Sequence, residues 1–104
     1  MAEMLILEFP GTSRGQYEAV SKELGIDQAT GNGDWAVGLK SHTSGGRSDG
    51  TLVIVEVWES KGAQEAFMQS RLGAAIAKVG VSAVPKVTWI PLYSHHEVRA
   101  KVAL

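Results

Sequence analysis

The chain contains no cysteine, which excludes disulfides, thiolate zinc sites and cysteine nucleophiles. That absence fits a cytoplasmic protein, and cytoplasmic is the expected location. No stretch is dense in Lys and Arg, and the net charge is −1. Phosphate binding needs a concentrated positive field, so nucleic acid is not an expected partner. Apolar runs are short, far below the roughly 20 residues of a membrane span. Met1-Ala2-Glu3-Met4 places an acid where a signal peptide carries basic residues, so no membrane role is expected. No P-loop and no Gly-x-Gly-x-x-Gly pattern occurs. Gly31-Asn32-Gly33 and Gly45-Gly46 read as turn chemistry instead. His95-His96-Glu97 has the residue types of a metal site, but neighbours on a strand point apart, and no metal site is expected. There is no internal repeat and no Ser-His-Asp arrangement to support hydrolysis.

What is present reads as one domain. A chain of 104 residues buries roughly 60–68% of the surface of its unfolded state, enough for one core. Met4–Phe9 is apolar and ends at Pro10-Gly11, a buried strand. Ser13 and Gln16 form a capping-box pattern for a helix carrying Tyr17, Val20 and Leu24 on one face. Gly25 suits the left-handed position after that helix, and Ile26 folds back toward Val20. Asp27–Asp34 is a loop. Trp35–Thr43 is a weaker strand, Ser44–Gly50 a turn, and Thr51–Trp58 the strongest strand in the chain. The two strands form a hairpin. Ser60 caps a second helix with an inward stripe of Ala63, Phe67, Met68, Leu72, Ala75, Ile76 and Val79. Gly73 loosens or bends it. Lys86–Tyr93 is the last strand, with Pro91 confined to an edge or bulge. The order β-α-β-β-α-β is the ferredoxin-like α+β arrangement, with an antiparallel sheet and both helices on one face. The domain is expected over 1–94, with a tail over 95–104.

One strand breaks the rule for such sheets. Leu52, Ile54 and Trp58 point one way and Val53, Val55 and Val57 the other. Helices cover one set only, and the other is an apolar patch that soluble monomers rarely expose. A homodimer through that sheet face is the expected assembly, with the tail available for dimer contacts.

These residues carry a resemblance. "LILEFPG", "YEAV", "LGI", "SHTSGG", "VIVEVWES" and "VTWIPLY" span nearly the whole chain. Together they resemble the dimeric α+β barrel superfamily, and more narrowly the antibiotic-biosynthesis-monooxygenase-like proteins. The resemblance implies a ligand cleft between sheet and helices, with Trp58 at the position of the family's "WES" tryptophan. The haem-degrading branch uses a His on the following helix and an Asn on the first strand. Here there is no His between Ser60 and Val79 and no Asn in Met4–Phe9, which disfavours that branch. The cofactor-free oxygenases of the superfamily activate an electron-rich phenol or enol so that it reacts with oxygen itself. That branch implies no cofactor.

Six residues are candidates for the site. Glu56 lies in an apolar strand, where an acid is costly unless paired, solvated or protonated. It reads either as an ion pair with Lys40 or another base, or as a proton-transfer group in the pocket. If Thr43 pairs with Thr51, His42 lies opposite Leu52 on the Glu56 face; a slip of one residue reverses its facing. The resemblance also places a His here. His42 is either the base or a strand-end residue meeting solvent. Trp58, Phe67, Tyr17 and Trp89 are core residues that also suit an apolar pocket wall for substrate. Two function classes follow: a cofactor-independent monooxygenase-like oxidoreductase acting on a small aromatic or polyketide-like molecule, with His42 and Glu56 catalytic, or a non-catalytic homodimer binding a small hydrophobic ligand or a protein partner.

Overall fold

The computed structural model describes residues 2–98. Its elements are β1 (Glu3–Phe9), α1 (Arg14–Glu23), β2 (Leu39–Gly46), β3 (Leu52–Trp58), α2 (Lys61–Phe67), a π-helical turn (Met68–Leu72), α3 (Gly73–Val79) and β4 (Lys86–Pro91). The strands form one antiparallel sheet in the order β2-β3-β1-β4. This is the ferredoxin-like order that the sequence pattern implies. Positions 99–104 of the expected tail, and Met1, lie outside the described residues. No helix among the described residues is long and apolar enough to cross a membrane.

The ends of α1 follow from its sequence. The Gln16 N–H donates to Ser13 Oγ at 3.1 Å, and the Ser13 N–H donates back to Gln16 Oε1 at 3.0 Å. Two orphan donors are thereby satisfied. At the other end Gly25 has φ 76°, its N–H reaches the Lys22 carbonyl, and the Ile26 N–H reaches the Ser21 carbonyl. That pair of bonds is a Schellman motif, and it carries Ile26 back into the core.

The second helical segment is not one α-helix. The Gly73 N–H bonds to the Met68 carbonyl, five residues back, which makes the intervening turn π-helical. A Cβ at Gly73 would sit 3.0 Å from that carbonyl oxygen, so glycine is what lets the wide turn close. The turn places Phe67 and Leu72 on the same cavity.

The hairpin register differs from the sequence reading. His42 pairs with Glu56, not Leu52, and Gly46 pairs with Leu52. Ser44, Gly45 and Gly46 are extended strand, and the turn is Arg47–Thr51. The turn chemistry lies in Asp49-Gly50: Asp49 Oδ1 accepts the Thr51 N–H, and Gly50 takes φ 87°. Glycine pairs in a ladder as readily as it turns, so Gly45-Gly46 alone could not place the loop. The slip is four residues, an even number, so His42 keeps its facing. Trp35 correspondingly lies in a loop, and β2 begins at Leu39 with a bulge at Leu39–Ser41.

One face of the sheet meets the helices. Leu5, Leu7, Phe9, Leu52 and Trp58 are buried there with Ala36, and Tyr17, Ile54, Ala63 and Phe67 pack against them. Burying each Leu or Phe contributes about 1.5–3 kcal/mol. On the opposite face Met4, Ile6, Val53 and Val55 are half-buried and Ile90 is exposed, whereas Val57, expected in the same uncovered patch, is buried.

The loop from Asp27 to Gly38 is tied down at Gly33. This residue bridges Ile26 at φ 138°, and a Cβ there would overlap the Gly25 carbonyl oxygen and lie 2.7 Å from Ile26 Cα. Gly33→Ala is expected to cost about 1–3 kcal/mol of stability, measured as a lowered urea midpoint. An unchanged midpoint would mean that this bridge does not hold the loop.

Candidate functional site

Four of the expected residues lie in one chain of hydrogen bonds, and the observed register supplies its central pair. His42 on β2 lies directly across from Glu56 on β3, and Nδ1 is 2.7 Å from Glu56 Oε2. Tyr17, on the first turns of α1, places its hydroxyl 2.6 Å from His42 Nε2. The Trp58 indole N–H donates to Glu56 Oε1 at 3.0 Å. Glu56 is only 8% exposed and Trp58 is fully buried. Indole nitrogen only donates and carboxylate only accepts. With His42 neutral, Nδ1 carries the proton toward Glu56, and Nε2 accepts from the Tyr17 O–H. Lys40 is exposed and plays no part in the pairing that Glu56 makes.

The Tyr17 and His42 rings are nearly parallel, 8° apart, with centroids 6.1 Å apart. Trp35, from the loop, lies 5.2 Å from His42 at 49°. Burial pushes the Tyr17 phenol above its ordinary value, and the negative charge of Glu56 adds to that; the Ser44 and Ser21 hydroxyls act the other way.

The chain of bonds opens on a cavity of about 80 Å³ between sheet and helices. The sheet supplies Leu7, Phe9, Leu52 and Ile54; α1 supplies Val20 and Leu24; Phe67, Leu72 and Ile76 close the far side. Polar groups reach it from His42, Glu56 and Tyr17, and from Thr12, Gln16, Ser21 and Gln28 along α1 and its following loop. Thr12, Tyr17, Gln28 and Leu52 also line an outer cleft bounded by Ser44, Gly45, Gly46 and Arg47. Tyr17 therefore stands at the neck between an apolar interior and an open mouth. Arg71, outside the cavity lining, ties the end of α1 to the loop at Asp34. Its Nη2 bonds to the Leu24 carbonyl at 2.9 Å and the Asp34 carbonyl at 2.6 Å, with the guanidinium over the Phe67 ring.

The remaining expected residues divide. Phe67 lines the cavity. Trp58 lies behind Glu56, 5.9 Å from the Phe67 ring, and is not part of the lining. Trp89 packs against the core with Lys61 Nζ 5.8 Å from its ring, also away from the lining. Reasoning from sequence did not single out Trp35 or Gln28. The signal for Trp35 was the pair of glycines at 33 and 38, which marks an aromatic held by a loop rather than a strand. Among the described residues no three His, Cys, Asp or Glu side chains converge as metal ligands.

A scan of protein-family models finds no match, and no curated protein matches the chain significantly. Solved structures do. The protein Rv0793 of Mycobacterium tuberculosis is 19% identical with a TM-score of 0.65, over 93% of this chain and 100% of that one. The monooxygenase from the gene ActVA-Orf6 of Streptomyces coelicolor, solved in complex with the ligand nanaomycin D, is 18% identical with a TM-score of 0.60, over 94% and 93%. SnoaB, a cofactor-independent oxygenase from Streptomyces nogalater, is 11% identical with a TM-score of 0.61, over 90% and 95%. What these likenesses establish is architecture: the chain has the same α+β fold as these structures.

Proposed function

We propose that this chain is a cofactor-independent monooxygenase-like enzyme acting on a small phenolic or enolic molecule. The observation that carries the reading is the Tyr17–His42–Glu56 chain at the neck of an apolar cavity. Such a chain suits removal of a proton from a buried hydroxyl. The substrate O–H gives its proton to the Tyr17 oxygen while the Tyr17 proton passes to His42 Nε2. Tyr17 ends neutral, and the imidazolium is paired with Glu56. The electron-rich substrate anion then reacts with dioxygen, the only oxidant required. For a phenol with a para C–H the net reaction is phenol plus O2 to quinone plus water. A C–O bond forms, the C–H and O–O bonds break, and the relay returns its proton to the departing oxygen. The likeness to SnoaB and ActVA-Orf6 supports this reading as one of fold. A cavity of about 80 Å³ has room for roughly five to eight waters' worth of ligand, the scale of a single substituted ring.

The second reading, a non-catalytic dimer binding an apolar ligand, draws on the satisfied state of Tyr17 and His42, which already bond each other. Oxygen uptake with a panel of substituted phenols and hydroquinones separates the two. His42→Ala and Tyr17→Phe are each expected to lower turnover by about 10²–10⁴-fold while the fold survives. A panel without uptake, alongside thermal shifts that persist in both variants, would favour the binding protein.

Tyr17 must stay neutral at working pH for this relay, and its raised value serves that. A tyrosine raised in the folded state contributes stability that is fully present below pH ~10 and is lost as pH climbs through the folded value. The absorbance titration at 295 nm, as the difference between wild type and Tyr17→Phe, is expected to have its midpoint above 10. A midpoint at or below 10 would refute the buried, neutral phenol.

The assembly that goes with this reading is a symmetric dimer through the second sheet face, where Met4, Ile6, Val53 and Val55 are incompletely covered. Light scattering at micromolar concentration is expected to give twice the chain mass, and Val53→Lys with Val55→Lys to give one. A wild-type monomer would remove the dimer.

A further inference from the structure

Trp35 belongs to no helix or strand, yet it is more constrained than many residues that do. Its indole N–H donates to the Gly31 carbonyl at 2.8 Å. The Asp34 N–H beside it bonds to the Gly25 carbonyl at 3.0 Å, and Arg71 holds the Asp34 carbonyl and carboxylate. On the other side Leu39 donates to the Ala36 carbonyl. Gly38, at φ 88°, fits where a Cβ would stand 2.7 Å from Ala63 Cβ. Most residues of this loop are exposed, and Val37, two positions along, is 91% exposed. Trp35 and Ala36 turn into the cavity, as does Gln28 from the start of the loop. All this restraint holds the indole against the His42 ring, 5.2 Å away and tilted by 49°.

His42 needs such a partner. Its two nitrogens must meet Glu56 and Tyr17 at once, which fixes the ring plane as well as its position. The Cβ–Cγ bond and the hydrogen bonds at the two nitrogens together define that plane, and both hydrogen bonds weaken if the side chain swings away from it. A bulky neighbour packed against the imidazole limits that swing, and the Trp35 ring is packed there, 5.2 Å away and tilted by 49°. We infer that Trp35 is a positioning residue for His42: it holds the imidazole in the plane that serves both Glu56 and Tyr17. The inference rests on the relay reading for its purpose, but its geometry is testable without substrate.

The test is NMR of the His42 imidazole at one pH near neutrality in the full chain. Wild type is expected to show the Nδ1–H tautomer, with a slowly exchanging downfield proton. Trp35→Leu removes the ring packed against His42; the Nδ1–H is expected to exchange roughly fivefold faster and the tautomers to mix, while Trp35→Phe restores both. If the leucine variant does not fold, Trp35→Met against Trp35→Phe makes the same comparison. Unchanged exchange and tautomer in the leucine or methionine variant would overturn the inference, as would a phenylalanine variant no better than leucine. Failure of the relay itself reads differently: wild type would then lack the Nδ1–H signal, or Tyr17→Phe would leave turnover intact.

Discussion

The carboxylate of Glu56 is the group around which the site is arranged. A charge taken out of water costs several kcal/mol unless every part of it is bonded. Here one oxygen takes the Trp58 indole N–H and the other takes His42 Nδ1. Removing either donor leaves an unpaired group in an apolar core, and the penalty for a broken buried pair runs to about 3–5 kcal/mol. The identity of β2 at position 42 and of β3 at position 58 is therefore tied to one acid between them. Tyr17 extends the same network onto the helical layer, so sheet and α1 share a polar seam inside an otherwise apolar interface. The site is a by-product of satisfying that acid, and its directionality comes from the fixed donor at Trp58.

Much of this was legible from residue type and spacing. Strand parity alone put Glu56, Trp58 and Ile54 on one face, because a two-residue period admits no other assignment. The capping box at Ser13 and the glycine at 25 fixed where α1 starts and stops, and so which way Tyr17 faces. The unexplained acid in "VEVWES" identified the place where chemistry was worth seeking. Its partner was assigned to the right face through the wrong pairing, since an error of four residues leaves facing unchanged. Two things were hidden. The length of β2 depended on whether Gly45-Gly46 turns or extends, which flanking Asp49-Gly50 decides by competing for the turn. Trp35 was drawn into a strand by the period-two pattern of Trp35, Val37 and Leu39, although Val37 faces water. Alternation is a strong signal only where both parities have somewhere to go.

The helical layer shows how local irregularity serves the cavity. A regular α-helix through Gly73 would rotate Leu72 relative to Phe67 by the usual 100° per residue. The wide turn absorbs one extra residue, and both side chains reach the same space. Arg71, within that turn, gains the reach to cap the Leu24 carbonyl at the end of α1 and to hold the loop at Asp34. One irregular turn thus joins three elements that share no sequence neighbourhood.

The end of β2 beside the cavity mouth is made of Ser44, Gly45 and Gly46, so that stretch of the outer cleft is floored by nearly bare peptide. Side chains sort ligands by shape; naked backbone offers evenly spaced donors and acceptors and little relief. Molecules that share a ring but differ in their trailing substituents would meet the same wall inside and almost no wall outside. On the proposed function, discrimination would be graded along a line, strict at the Phe67 end and permissive beyond Tyr17, and a single inner pocket would receive a family of molecules rather than one.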